Sequence, residues 1–383
     1  MIVVIADDLS GATELASAAV EAGLTAEVQT GNFEKETTAD LVAISTESRQ
    51  PTQQLAQVEA IALQISLAKP NWIYKKTDSV LRGHVAPEIA TILDALGYTN
   101  SLLIPANPKK GRTISDGAYF IAGTPLHLTA FANDPDFPRN SCDVVELARG
   151  GGRDDEAKFP VYWLGNAPVP DAKGIFLPEM KNSDAMMERA KQVDRSQTLP
   201  AGGVEFFEAL LGKAGNPHAF PSSRQHLPTL FVCGSAAAWE MGRSEQFGTE
   251  GIPVAAMPLK YFESPDEEFD LWLQRTTRLL EQSIVAAIAI GDFRGDATPA
   301  QLLEPLSRLT QAIVEQGAAT RLFVEGGATA AAIINKLGWS RLQVKTPLAS
   351  GIAELSPLEG PSCSIAIKPG SYPWPFSEIQ MAP

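Results

Sequence analysis

KKTDSVLRGHVAPEI (residues 75–89) and PANPKKGR (residues 105–112) bound the stretch on which the fold reading turns. Between residues 75 and 112, Lys75, Lys76, Arg82, Lys109, Lys110 and Arg112 stand against Asp78, Glu88 and Asp94. This local positive excess runs against a formal net charge of -14 for the whole chain. Apolar periodicity predicts a strand over 72–75, a loop, a helix over 87–96, a strand over 101–104 and a second loop. Pro87 suits the first helical position, Glu88 the positive helix end, and Gly97 the position just past the last turn. A helix linking two strands in this way is a βαβ unit, with both loops at one edge of a parallel sheet. Open α/β sheets bind ligands at that edge. The cationic loops therefore point at a small anionic ligand. Arg82 is suited to grip a carboxylate through two parallel hydrogen bonds. Thr77, Asp78, Ser79 and Gly83 supply hydroxyls and permissive backbone beside it, and the second loop adds Asn107, Gly111 and Arg112. His84 and His127 have no partner at metal-ligand spacing.

Working outward, 383 residues suggest two domains, and 44% hydrophobic with 20% charged residues is ordinary for a globular chain. A pI near 4.8 argues against nucleic acid as a partner. Cys142, Cys233 and Cys363 are far apart and odd in number, which fits buried thiols in a reducing cytoplasm. The opening MIVVIADDLSG has too short an apolar run and no basic lead for a signal peptide. The longest apolar run, 284–290, is a buried strand and too short to span a membrane. No membrane partner is expected, and a homo-oligomer is left open.

The first strand, over 2–5, ends in Asp7 and Asp8 and leads into a helix stopped by Gly23. Two adjacent carboxylates exceed what an N-cap needs, so the pair reads as a general base, or a carboxylate serving a metal, facing the ligand. Strands follow over 26–29 and 41–44, the second running into Thr46-Glu47-Ser48-Arg49, then a helix over 52–68. Residues 116–138 read as irregular, a lid or specificity loop. Strands over 161–164 and 174–177 precede a helix over 183–192, and residues 201–204 open another helix through 211. Residues 216–228, with three prolines, read as the interdomain linker. The α/β pattern then restarts. A strand over 229–233 ends before Ser235, with further strands over 253–256, 284–290 and 321–324. A helix over 299–316 should be kinked or divided by Pro305. Gly326 and Gly327 form a turn between strand and helix, where phosphate can approach backbone amides.

Taken together, IADDLSGA (5–12), TESR (46–49), KKTDSVLRGHVAPEI, PANPKKGR and the spacing of Asp134, Pro135, Pro138 and Ser141 resemble the four-carbon acid sugar kinase family. The resemblance implies two α/β domains with mainly parallel, Rossmann-like sheets and a cleft between them. It implies a sugar-acid-binding domain over 1–215 and an ATP-binding domain over 229–383. Asp7 or Asp8 would then take the substrate hydroxyl proton. Arg49, Ser79, Arg82, Gly83, Asn107 and Arg112 would meet the sugar acid, with Arg82 on its carboxylate. Ser235, Gly326, Gly327, Thr329, Gly351, Lys368 and Gly370 would meet the nucleotide. ATP implies Mg²⁺, for which the sequence offers no ligand cluster. The nucleotide half departs from the family pattern. Ala328 stands where the family has an acid, residues 347–351 lack the glutamate, the closing motif reads Lys368-Pro369-Gly370, and alanines fill 236–238. The alternative is therefore a non-catalytic or impaired sugar-acid-binding homologue.

Overall fold

The structure, a computed structural model, describes residues 1–49, 55–134, 136–150, 158–212, 227–235, 239–292, 297–349 and 351–368, with 374 and 376 beyond them. The chain divides into two compact units, Met1–His218 and Ala219–Pro383. The expected linker falls, up to residue 226, outside the described residues.

In the first unit the order is β1 (Ile2–Ala6), α1 (Leu9–Glu21), β2 (Ala26–Thr30), β3 (Leu41–Ser45), α2 (Leu55–Ala68), β4 (Trp72–Lys76), α3 (Val85–Leu96) and β5 (Asn100–Ile104). There follow β6 (Arg112–Ser115), β7 (Ala118–Ile121), β8 (Thr124–Pro125), α4 (Val144–Arg149), β9 (Val161–Gly165), β10 (Gly174–Pro178), α5 (Ser183–Lys191), β11 (Thr198–Gly202) and α6 (Val204–Leu211). The main sheet runs β2-β3-β1-β4-β11-β5-β10-β9, and every neighbouring pair is parallel. Val3, Val4 and Ile5 are fully buried, as a central strand covered on both faces requires. After β1 the chain leaves towards β2, and after β4 it leaves towards β5, so the strand order reverses between these neighbours. The C-terminal ends of β1 and β4 therefore form a topological switch point, the ligand crevice of open α/β sheets.

Several expectations need correction. Helix α3 opens at Val85, so Pro87 is its third residue, where the backbone N–H would still lack an intrahelical partner. Residues 201 and 202 end a strand rather than opening a helix. Strand β11 lies wholly buried between β4 and β5, with Pro200 inside it. The proline is tolerated because β11 meets β4 only at Ala201 and Gly202, past the missing N–H. Residues 116–138 are not irregular throughout. Strands β6, β7 and β8 form an antiparallel sheet joined by the two-residue turns Asp116-Gly117 and Ala122-Gly123, all four at positive φ. This is the left-handed pairing that matches strand twist in tight hairpins.

The second unit contains β12 (Thr229–Cys233), α7 (Ser244–Thr249), β13 (Val254–Ala256), α8 (Pro265–Ser283), β14 (Val285–Ala289), α9 (Pro299–Glu315), β15 (Arg321–Glu325), α10 (Gly327–Leu337), β16 (Arg341–Ala349), β17 (Ile352–Pro357) and β18 (Ser364–Lys368). Its sheet runs β13-β14-β12-β15-β18, all parallel, then β17 and β16 antiparallel. Phe231 stacks on Phe323 at 5.0 Å between centroids, and Trp374 meets Phe231 edge-on at 5.3 Å, at the heart of this core. Pro305 does not divide α9, which runs as one helix from a Thr298–Gln301 capping box. Residues 347–349 belong to β16, and Gly351, at φ 77, turns the chain into β17. Cys142, Cys233 and Cys363 are all unpaired; Cys142 is partly exposed rather than buried. Among the described residues no helix is long and apolar enough to cross a membrane.

Candidate functional site

Register fixes which loops meet. Ala6 lies beside both Ser45 and Lys76, Lys76 beside Gly202, and Gly202 beside Ile104. The loops after β1, β3, β4 and β5 thus leave one edge of one sheet.

Asp8 caps α1: its Oδ1 accepts the Gly11 N–H at 2.7 Å and its Oδ2 the Ser10 hydroxyl at 2.7 Å. A Cβ on Gly11 would sit 2.7 Å from that same Oδ1, so a larger residue there would push the capping carboxylate aside. The Arg49 guanidinium then spans both aspartates. Nε donates to Asp7 Oδ2 at 2.7 Å, Nη2 to Asp7 Oδ1 at 2.9 Å and Nη1 to Asp8 Oδ2 at 2.8 Å. Nη1 also lies 3.5 Å from Asp78 Oδ2. Gly83, at φ 86, makes room, since a Cβ would come 3.3 Å from Arg49 Cγ and 3.6 Å from Asp7 Oδ2.

Asp78 carries the chain of charges onward. Arg82 donates from Nη2 to Asp78 Oδ2 at 2.8 Å and from Nη1 to Asp134 Oδ2 at 3.1 Å. The other Asp78 oxygen accepts the Val80 and Arg82 N–H groups at 2.9 and 3.1 Å, closing a tight turn that holds Leu81 at φ 62. Tyr119 donates its hydroxyl to the Ser79 carbonyl, and Arg139 Nη1 donates to the Leu81 carbonyl at 2.8 Å, clamping the same turn. Arg112 donates to the Ser79 hydroxyl. The Arg82 and Arg112 guanidinium carbons each lie 5.9 Å from the centroid of the Phe131 ring. Asn107 is held to Arg112 by two backbone hydrogen bonds, and its side chain accepts the Lys110 N–H at 3.2 Å, capping a short 3₁₀ turn. The eight first-unit residues singled out from the sequence, Asp7, Asp8, Arg49, Ser79, Arg82, Gly83, Asn107 and Arg112, are therefore one connected cluster.

Its electrostatics are sharply tuned. Burial alone would raise the Asp7 and Asp78 carboxyls, but the guanidinium groups against them hold both below the usual carboxylate range. Glu47 goes the other way. Burial, with Asp8 and Asp7 nearby, pushes it up to about 7 despite a hydrogen bond from the Ser45 hydroxyl. Behind the loops, Lys75 pairs with Glu88 at 2.6 Å and Lys76 with Glu14 at 3.2 Å. These two lysines are committed to the interior rather than to a ligand.

Sequence reasoning missed Asp78 as a partner of both arginines, and also Asp134, Phe131, Tyr119, Arg139 and Glu47. Asp134 and Glu47 lie inside motifs already quoted. Phe131 and Tyr119 carry no local signal, because the β6–β8 sheet brings them in.

In the second unit Cys233, Glu325 and Lys368 are in register at the C-terminal ends of β12, β15 and β18. Ser235, Gly326, Gly327 and Thr329 follow directly. A Cβ on Gly234 would lie 2.3 Å from Thr329 Oγ1, which shows how closely the two loops approach. Gly326, at φ 93, leads into the amino end of α10. Extending the antiparallel register of Glu354 with Ala366 puts Ile352 opposite Lys368, so Gly351 turns at this edge as well. Lys368 is fully buried and pairs with Glu325 Oε1 at 2.7 Å, and Arg243 Nη2 meets the same oxygen at 2.6 Å. Gly370 lies outside the described residues.

Comparison with known proteins follows the same division. Residues 2–160 match the model of a sugar-binding N-terminal domain, and residues 270–372 that of a nucleotide-binding C-terminal domain. The D-threonate kinase of Salmonella typhimurium is 26% identical over 91% of this chain and 89% of its own length. The 3-oxo-tetronate kinase of Actinobacillus succinogenes is 24% identical over 97% of this chain and 96% of its own. The D-erythronate kinase of Heliobacterium modesticaldum is 28% identical over 50% of this chain and 46% of its own. A solved Salmonella typhimurium protein superposes with a TM-score of 0.76 at 19% identity, covering 97% of this chain and 96% of its own. At that identity the likeness is one of fold.

Proposed function

The chain belongs to the four-carbon acid sugar kinase family, and from that membership we propose that it transfers the γ-phosphoryl group of ATP to a hydroxyl of a four-carbon sugar acid. The observation that carries the sugar-acid half is the pair of guanidinium groups flanking Phe131 in an otherwise acidic chain. Asp78 and Asp134 fix the Arg82 fork, and its Nε is buried with no hydrogen-bond acceptor among the described residues. Arg112 offers a second cation 5.9 Å from the same ring, so the two guanidinium groups together favour a small anion beside Phe131. Anchoring the acid end sets which hydroxyl is presented for transfer, and phosphoryl transfer depends mainly on such positioning and on charge neutralisation. For the nucleotide, the support is the Gly326-Gly327 turn into α10, whose free N–H groups suit phosphate oxygens, beside Ser235 and Thr329.

Magnesium would arrive with the nucleotide, since it binds chiefly through substrate phosphates and one or two carboxylates. Among the described residues no three His, Cys, Asp or Glu side chains gather to hold a metal ion. Asp7, Asp8 and Asp78 are already engaged by arginine. The donor set does not fit a pre-built magnesium cage, and no step is assigned to the metal. Unpaired cysteines agree with a cytoplasmic setting.

The test is ADP release measured over D-threonate, D-erythronate and 3-oxo-tetronate, with calorimetry on Arg82→Ala. The substitution should weaken sugar-acid binding by roughly 10- to 100-fold and leave nucleotide affinity within about twofold. Equal loss of both would count against the carboxylate role, and no ADP release with any four-carbon acid would overturn the kinase reading.

A further inference from the structure

The two aspartates after β1 are poorly placed to take a proton. Both Asp7 oxygens accept from Arg49, one Asp8 oxygen caps α1, and the other accepts from Ser10 and Arg49. Arg49 also holds Asp7 in its charged form. A base needs a lone pair free to point at the substrate and a proton affinity matched to the working pH.

Glu47 meets both conditions. It stands two residues past the end of β3, whose Ser45 is in register with Ala6 of β1, so it leaves the sheet at the switch-point edge. Its φ is 49, a left-handed conformation that a glycine would adopt without strain and a glutamate adopts at a cost. Oε1 accepts the Ser45 hydroxyl, while Oε2 accepts no hydrogen bond from any described residue. The charged groups that face it are Asp7 and Asp8 from the loop after β1 and Arg49 from its own loop, with Asp78 behind Arg49.

We infer that Glu47 is the general base of the phosphoryl transfer, with Asp7 and Asp8 positioning Arg49. This rests on the kinase reading above. As the substrate hydroxyl oxygen forms its bond to the γ-phosphorus, the bond from that phosphorus to the β–γ bridging oxygen breaks, and its electron pair leaves on ADP. The hydroxyl proton passes to Glu47 Oε2, and water removes it after the products depart. Glu47 must begin each turnover ionised. Its elevated proton affinity then gives the rate an acid limb near neutrality.

The experiment is kcat and KM for ATP and a four-carbon sugar acid from pH 5 to 9, using the full-length wild type, Glu47→Gln and Ser45→Ala. Glu47→Gln should lower kcat by about 100-fold or more, hold both KM values within about threefold, and abolish the acid limb. Ser45→Ala removes a hydrogen bond that favours the charged carboxylate, so its acid limb should move to higher pH. A purely structural role would not move that limb. Glu47→Gln turning over within about threefold of wild type, with the limb unchanged, overturns the assignment. Should Glu47→Gln fail to fold, an unmoved limb in Ser45→Ala overturns it instead. A wild type that phosphorylates no four-carbon acid sinks the kinase reading and this assignment together.

Discussion

At the scale of single residues, one carboxylate is kept at a disadvantage. Glu47 rises from an ordinary 4.5 to about 7 because burial and two neighbouring aspartates oppose its charge. The folded state therefore binds its proton more tightly than the unfolded chain does. Its contribution to stability is full below pH 4.5 and is lost as pH rises through about 7. Each pH unit corresponds to ~1.4 kcal/mol, so ionised Glu47 costs the fold up to ~3 kcal/mol at pH 8. Glu47→Gln keeps an acceptor for Ser45 without the charge. Its melting temperature should exceed that of the wild type at pH 8, and the two should converge near pH 4.5. A melting difference independent of pH would show that Glu47 is not ionised against its surroundings. Asp78 has the opposite sign. The arginines beside it depress its proton affinity despite burial, so its stabilisation is present above the usual carboxylate range and fades only in strong acid.

Among elements, β11 decides the most. It fills the slot between β4 and β5, and its last residue, Gly202, takes the Thr77 N–H at 3.0 Å, setting where the loop after β4 begins. Gly202 has φ 145, and a Cβ there would lie 2.0 Å from the Ile104 carbonyl oxygen and 2.5 Å from its carbon. Neither backbone atom can give way without breaking the β11–β5 ladder. Gly202→Ala should therefore destabilise the protein by more than ~3 kcal/mol, or prevent folding, read as the midpoint of urea unfolding. A midpoint close to wild type would mean that this strand end is free to shift. The hairpin sheet of β6, β7 and β8 has a different role, for its Tyr119 holds the Ser79 carbonyl and its turns lead the chain on to Phe131 and Asp134. The Asp116-Gly117 pair announced that hairpin, yet irregularity was the expectation, because the strands it joins are only four residues long.

For the whole molecule, each unit carries its own candidate residues at the C-terminal ends of its parallel strands. Hydrogen exchange on the full-length chain tests that division of labour. A four-carbon sugar acid should slow exchange at the backbone amides of residues 46–49 and 78–83, whereas ATP with magnesium should slow it at residues 326–329. Protection of residues 326–329 by the sugar acid alone would contradict it. The sequence by itself determined the alternation of strands and helices, and the first-unit cluster was legible in it, because buried parallel strands leave long apolar runs and put the residues that follow them at one edge. Lys368 shows the limit, since no local pattern could tell that its ammonium is sealed against Glu325 across a strand pair. The same limit hid β11 behind its proline, and the capture of both aspartates by Arg49. Periodicity records only the environment each side chain needs. Which charge meets which is fixed by strand order and register, which bring together residues more than 40 positions apart, and these only the tertiary structure decided.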